Sequence, residues 1–286
     1  MQSNLEPKAV TNPLASYFRQ PKIFIRLPSD GNFYPNNSID LSANKEYAVY
    51  AMTAKDELLF KTPDALLNGQ ATVEVIKSCI PAIKDPWKMP SIDVDACLVA
   101  IRVATYGQSM DVNATCPSCS HINDYEFDLV NYLGQMNEFK FIPALPVGPL
   151  VIYIRPYSYL ETTKAAIKAI EQQKIFDVVN DPEMSDEDKI DKFGKSFLKL
   201  TEMTVDVVCG CISGIQTPDG LVEDRKMIEE FINNANSDVF NTVNDHVQAM
   251  RNEIESKTQT VACAECQHPY TINLTMDQSN FFVVRS

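Results

Sequence analysis

The stretch ATCPSCSHINDYEFDL, residues 114–129, contains two cysteines, Cys116 and Cys119, followed by an alternating run typical of a strand. A CxxC turn brings two thiols to the same side of a tight loop, where both can bind one metal ion. Two thiolates are only half of a tetrahedral ligand set. The other half must therefore come from another part of the chain or from another subunit.

A second segment, QTVACAECQHPYTINLT at residues 259–275, repeats this pattern. When the two segments are aligned on their cysteines, both read C-x-x-C-x-H, with apolar or β-branched residues before and alternating residues after. Each loop is predicted to join two strands. Two such loops facing each other provide four sulfur ligands, which suits structural zinc. We therefore predict a zinc-ribbon-like site with one zinc ion per chain, formed by Cys116, Cys119, Cys263 and Cys266.

The two cysteine pairs are separated by 143 residues, far more than in a compact zinc ribbon. Either a large helical insertion lies between two hairpins of one chain, or each pair meets a copy in another subunit. We favour the insertion, because residues 143–257 have the pattern of a self-contained helical unit. A redox CxxC is less favoured, because such motifs normally open a helix and a strand follows here.

The other cysteines and the histidines show no comparable arrangement. His121 and His268 each lie two residues beyond a cysteine pair, so they either stay outside the ligand set or replace a cysteine. His246 lies in a polar helical stretch and is expected at the surface. The remaining cysteines fall in apolar helical stretches and are expected to be buried like small hydrophobic residues: Cys79, Cys97, Cys209 and Cys211.

The composition excludes several classes of protein. The 286 residues carry a net charge of −13, with a pI near 4.7. Such a chain repels phosphates and anionic lipids, and no Lys/Arg cluster offsets this, so we expect neither nucleic acid nor a membrane as partner. There is no apolar run of about 18 residues and no secretory signal pattern. We expect a reducing compartment, in which CxxC pairs bind metal.

Local patterns predict the α+β class, with a small β platform that carries the four-cysteine site and a large helical insertion. Thr53 and Asp56 form a weak capping box before a helix over 54–60. A long helix is predicted to begin at Ser185 and to run to about residue 215.

The predicted organisation has four parts, and each CxxC turn is called a knuckle. An N-terminal arm (1–21) is followed by an α+β domain that contains the first knuckle, Cys116–Cys119 (22–142). A mainly helical insertion (143–257) comes next. A C-terminal hairpin with the second knuckle, Cys263–Cys266, packs on the N-terminal domain (258–286).

No pattern indicates a catalytic site. The chain lacks glycine-rich phosphate-binding loops, HExxH and GxSxG. Neighbouring carboxylates such as Asp56 and Glu57 point apart on a helix, unlike a glycosidase pair. A hydrolase would need an open position on its metal, and four thiolates leave none. We therefore expect no enzymatic activity.

Five sequence blocks, in order, carry a resemblance to a known family. They are LPSDGNFYP (27–35), MTAKDELL (52–59), LLNGQATVEVIKSCI (66–80), AIRVATYG (100–107) and TCPSC (115–119). Together they resemble the baseplate hub proteins of contractile-tailed bacteriophages of the T-even type. The resemblance covers roughly the first 130 residues.

This resemblance implies a structural or assembly role at the central hub of a tail baseplate. The implied partners are other baseplate and tail proteins, such as hub, spike, tape measure or wedge subunits, and a homo-oligomer stays open. The implied location of the protein is the virion, and during assembly it is the host cytoplasm. Two alternatives remain: a hub assembly chaperone absent from the mature virion, and a phage zinc-ribbon protein that binds nucleic acid. Phe33 and Tyr34, on a proline-bounded turn, either anchor a partner or pack on their own domain.

Overall fold

The computed structural model describes residues 12–14, 17–62, 69–137, 141–164, 166–167, 185–255, 258–273 and 281–282. Helices and small antiparallel sheets are mixed along these ranges, as expected for the α+β class. The local pattern of the sequence also predicts a short helix over residues 63–68, and these residues lie outside the described ranges. None of the helices described is both long and apolar enough to cross a membrane.

The N-terminal part begins with a two-stranded ladder against helices. Strand β1 (Pro21–Ile25) pairs antiparallel with β2 (Tyr47–Tyr50). Helix α1 (Ala54–Phe60) begins at Thr53, whose hydroxyl accepts a hydrogen bond from the Asp56 N–H, while the Asp56 carboxylate accepts one from the Thr53 N–H. The predicted capping box is therefore confirmed.

Two further helices build the first hydrophobic core. Helix α2 is Gln70–Cys79 and helix α3 is Ser91–Tyr106, with a short 3-10 turn at Pro86–Lys88 between them. Helix α3 is buried on nearly all sides, because β1, β2, α2 and the following helix pack around it. It ends at Tyr106, and the next residue, Gly107, has a φ of +103°, which favours glycine.

The arm that precedes β1 is tied to this core through one side chain. The Arg19 guanidinium donates to the carbonyl oxygens of Ala51 and Ser78 and lies 3.5 Å from the Asp56 carboxylate. Only residues 12–14 and 17–20 of the arm are described, and Pro21 already belongs to β1.

The turn that carries Phe33 and Tyr34 packs on its own domain through Tyr34, whereas Phe33 is 37% exposed. The Tyr34 hydroxyl donates to the fully buried Asp93 carboxylate at 2.9 Å, and the Ser29 N–H donates to the same group at 2.8 Å. Phe33 contacts Phe141 edge-on, with ring centroids 4.9 Å apart. The turn after β1 is therefore hydrogen-bonded to the first turn of α3. The phenol of Tyr34 is not free to anchor a partner.

After α3 the chain forms a separate hairpin. Strand β3 (Ser109–Thr115) pairs antiparallel with β4 (Ile122–Asp128), and helix α4 (Leu129–Asn137) follows. Side chains alternate along both strands, so that Val112, Tyr125 and Phe127 face the first core. The first CxxC turn lies at the tip of this hairpin.

The middle of the chain forms a second core around a four-stranded antiparallel sheet. Its strands, in spatial order, are β5 (Ala144–Val147), β6 (Leu150–Ile154), β7 (Ile212–Thr217) and β8 (Gly220–Val222). Helix α5 (Asp186–Gly210) lies between β6 and β7 in sequence. Helices α6 (Arg225–Asn234) and α7 (Ser237–Glu255) follow the sheet. Fully buried Ile152, Ile154 and Ile228 belong to this core.

The helix predicted to run from Ser185 to about residue 215 is shorter than expected. It begins after Ser185, whose side chain caps it as predicted, but it ends at Gly210, and Ile212–Thr217 forms β7. The prediction of helix over 211–215 was therefore wrong. The reason is tertiary, because ISGIQT pairs with β6 on one side and β8 on the other. The segment interpreted as mainly helical thus also contains a sheet.

The chain then returns to the N-terminal part. Strand β9 (Thr258–Ala262) pairs antiparallel with β10 (Pro269–Asn273), and Ile272 is buried in the first core. Farther on, the Phe282 ring stacks on Phe60 at 4.3 Å, and the Phe281 carbonyl accepts a hydrogen bond from the Arg102 guanidinium. Both hairpins therefore pack against the same core, although each is a two-stranded sheet of its own.

Candidate metal centre

The two CxxC loops have the same backbone structure. In the first, the Cys116 N–H donates to the His121 carbonyl at 2.9 Å, and in the second the Cys263 N–H donates to the His268 carbonyl at 3.1 Å. Ser120 and Gln267, each directly after a second cysteine, have φ of 61° and 60°. The repeated sequence thus builds a repeated turn, in which each pair of thiols points to one side.

The tertiary structure brings the four cysteine sulfurs of one chain together. The Cys116 and Cys266 sulfurs lie 3.7 Å apart, and the Cys119 and Cys263 sulfurs lie 3.6 Å apart. All four are within 4.8 Å of one another. Zn–S bonds of about 2.3 Å in a tetrahedron give S–S edges of about 3.8 Å. The donor set and its spacing therefore fit a tetrahedral thiolate-bound ion.

The same distances argue against disulfides, since bonded sulfurs lie about 2.05 Å apart, and all eight cysteines are free thiols in the structure. Cys116 and Cys263 are buried, whereas Cys119 and Cys266 are exposed. The site is thus anchored on its inner side by the hairpins and open to solvent on its outer side.

The local electrostatics favour a cation at this position. The backbone N–H of Cys266, helped by that of Glu265 and the Asn123 amide, outweighs desolvation and lowers the pKa of the Cys263 thiol to about 6. The His121 N–H lowers the pKa of Cys119, but the neighbouring thiols outweigh it and raise that pKa to about 12. Without a cation the cluster therefore resists full ionisation, and a bound divalent ion would offset the repulsion among four thiolates.

A polar network joins the two hairpins behind the sulfurs. The buried Asn123, on β4, accepts a hydrogen bond from the Ala264 N–H at 2.8 Å through its side-chain oxygen. Its amide nitrogen lies 3.6 Å from the Cys263 sulfur and 3.2 Å from the Tyr270 hydroxyl. The Tyr125 hydroxyl donates to the Ala262 carbonyl at 3.0 Å. Each contact crosses from the first hairpin to the second.

The four cysteines proposed from the sequence are the ones that meet, and they do so within one chain. His121 and His268 are exposed and take part through their backbone carbonyls, and neither imidazole belongs to the sulfur cluster. His246 is partly buried, and its Nε2 atom lies 3.1 Å from the Ile142 carbonyl oxygen. As expected, the other cysteines are buried: Cys79, Cys97, Cys209 and Cys211.

Sequence reasoning missed Asn123 and Tyr270. Both occupy the same place in the repeat, seven residues after the first cysteine of each pair, where the alternation points inward. A polar residue at an inward position of a short strand is the signal that could have identified Asn123.

Comparison with known protein families identifies the group to which this chain belongs. The family model described as T4 bacteriophage base plate protein matches residues 23–283. The match runs from β1 past β10 and therefore includes both cysteine pairs. The chain is a member of the T4 bacteriophage base plate protein family. Searches of curated proteins and of solved structures gave no match.

Membership of this baseplate family indicates a structural role in a phage baseplate. It also indicates a location in the virion tail and contacts with other baseplate or tail proteins. The four-cysteine cluster of this baseplate protein is able to hold a metal ion.

Proposed function

We propose that this baseplate protein is a structural component or assembly factor of the central hub of a contractile phage tail. It acts by binding other tail proteins and catalyses no reaction. The observation that carries this proposal is the family match over residues 23–283. The match covers the two cores and the two hairpins. The ordered sequence blocks near the N-terminus, which resemble hub proteins, support the finer assignment to the hub.

We further propose that Cys116, Cys119, Cys263 and Cys266 hold one structural zinc ion in a zinc-ribbon-like arrangement. The support is the all-sulfur donor set and S–S distances of 3.6 and 3.7 Å. Zinc supplies a redox-inert cross-link between segments that are far apart in sequence. Such a cross-link stabilises the packing of the two hairpins on the first core, which suits a protein that must keep its shape under mechanical load.

The alternative of a nucleic-acid-binding zinc ribbon receives no support from the surface near the site. The exposed residues on and beside the hairpins include Asp111, Asp124, Glu126 and Glu265. A phosphate backbone would be repelled there. Strong, salt-sensitive binding to DNA at low ionic strength would reverse this ranking.

The test of the hub role is co-expression of the chain with the other baseplate and tail proteins of the same phage, followed by affinity purification. Stable recovery of hub components supports the proposal, and recovery of none contradicts it. Mass spectrometry of purified virions then separates the two forms of the proposal. A permanent component is present in the particle, whereas an assembly chaperone is found only in assembly intermediates.

The test of the metal is elemental analysis of the purified chain. One zinc per chain supports the site. No bound metal in protein purified without chelators, with all four thiols reduced, contradicts it.

A further inference from the structure

The two hairpins are related by a repeat, but their contact is not symmetric. When the knuckles are aligned, Asn123 of the first hairpin corresponds to Tyr270 of the second, and Pro117 corresponds to Ala264. Asn123, Tyr270 and Ala264 lie where the hairpins touch. The asymmetry therefore affects which partner each hairpin can accept.

The Asn123 side chain is matched to the second knuckle. Its oxygen accepts the Ala264 N–H at 2.8 Å, which fixes the orientation of the amide, because only the oxygen can accept. The amide nitrogen then faces the His121 carbonyl, the Cys263 sulfur and the Tyr270 hydroxyl, at 3.1, 3.6 and 3.2 Å. Asn123 is only 3% exposed, so a lost partner could not be replaced by bulk water.

The first knuckle could not offer the same contact. Pro117 occupies the position of Ala264 and has no N–H. If two copies of the first hairpin met, the Asn123 oxygen would face Pro117 and stay without a donor. The polar contact thus favours pairing of the first hairpin with the second over pairing with a copy of itself.

We propose that Asn123 is the positioning and specificity residue of the four-cysteine centre. This inference rests on the metal site proposed above. It selects the second knuckle through the Ala264 N–H and holds the Cys263 sulfur in place for the ion. Hydrogen bonds from outside the ligand set orient metal ligands, and their removal typically lowers metal affinity about 10–100-fold.

Three variants of the full-length chain separate the parts of this role. Asn123→Leu removes every polar contact of the side chain. Asn123→Asp keeps an acceptor for the Ala264 N–H but cannot donate to Cys263 and adds a negative charge. Ala264→Pro removes the N–H and also fixes φ at this position, as Pro117 already does in the first knuckle, whose backbone turn is the same. The matched controls are Asn113→Leu, on the exposed face of the same hairpin, and Ala264→Gly, which keeps the N–H.

The measurement is the zinc dissociation constant, obtained by competition with a chromophoric chelator, together with the thiolate-to-metal absorption of the cobalt-substituted protein. We expect zinc to bind about 10–100-fold more weakly to Asn123→Leu and Asn123→Asp, and at least about fivefold more weakly to Ala264→Pro. The altered cobalt spectrum distinguishes a displaced sulfur from a general loss of stability. The two controls should stay within about twofold of the wild type.

The inference is overturned if the wild type binds zinc and both Asn123→Leu and Ala264→Pro bind it with wild-type affinity and an unchanged cobalt spectrum. If Asn123→Leu does not fold, the comparison of Ala264→Pro with Ala264→Gly decides alone. A wild-type chain that binds no zinc overturns the metal site itself, and this inference with it, but leaves the hub role to its own test.

Discussion

The sulfur atoms of Cys116 and Cys266 lie 3.7 Å apart, although 150 positions separate these residues along the chain. The contact joins the two ends of the chain segment that forms the second core. It links the hairpin β3–β4 to the hairpin β9–β10, and both hairpins pack on the first core. The stability of this part of the protein should therefore depend on the metal, on the polar contacts beside the sulfurs and on the aromatic residues Phe281 and Phe282.

Replacing one ligand should release the ion. We expect Cys116→Ser or Cys266→Ser to lower the zinc content from one per chain to near zero and the melting temperature by more than about 5 °C. Structural zinc can contribute on the order of 10 kcal/mol to folding, and the loss here should be smaller because the Asn123 network also joins the hairpins. Elemental analysis and calorimetry check both values. Ser118→Ala, in the same turn, should keep its zinc, and a ligand variant with unchanged zinc and melting would contradict the site.

Removing the ion by chelation should loosen the two hairpins more than the second core. A two-stranded sheet is marginally stable alone, so β3–β4 and β9–β10 depend on their cross-link, whereas β6 and β7 lie inside a four-stranded sheet. Hydrogen exchange with and without chelator should show faster exchange at 109–128 and 258–273 and little change at 150–154 and 212–217. Added zinc should restore protection. A uniform increase over all these strands would refute a local role.

The buried carboxyl of Asp93 predicts a pH dependence of stability. Desolvation raises its pKa from 3.8 to about 6, although Ser29 and Tyr34 donate hydrogen bonds to it. The folded state therefore binds more protons than the unfolded state between about pH 4 and 6, so this group's contribution is present below pH 4 and is lost as the pH rises to about 6. The change amounts to roughly 3 kcal/mol at 1.4 kcal/mol per pKa unit.

Asp93→Asn tests this prediction, because the amide keeps an acceptor for Ser29 and does not titrate. Denaturant unfolding between pH 4 and 7 should show a flatter pH profile for the variant than for the wild type. Parallel profiles would rule out Asp93 as the source.

The aromatic residues near the C-terminus should stabilise the first core. Phe282 is buried and stacks on Phe60 with ring centroids 4.3 Å apart. We expect Phe282→Ala to lower the free energy of unfolding by about 3–5 kcal/mol, as for other buried phenylalanines. Phe24→Ala is the matched control, because Phe24 is 64% exposed and its loss should change stability by less than about 0.5 kcal/mol. Equal effects of the two substitutions would show that Phe282 does not pack as described.

Local features of the sequence predicted several elements well. Thr53 and Asp56 are three residues apart and satisfy each other's backbone groups, so the start of α1 needs no distant partner. The end of α5 was predicted wrongly, because the short apolar run after Gly210 is too short for its periodicity to distinguish a helix from a strand. The segment forms a strand because it pairs with β6, whose residues lie about sixty positions earlier in the chain.

The sequence by itself identified the four cysteines of the sulfur cluster, since the spacing of each CxxC and the strands around it are local properties that place two thiols on one side of a turn. Only the tertiary structure decided that the two pairs meet in one chain. It also decided that Asn123 and Ala264 join them and that Phe281 and Phe282 complete the N-terminal core. These contacts arise because both hairpins bury their inner faces on the same core, and such burial depends on the packing of distant segments and not on local sequence.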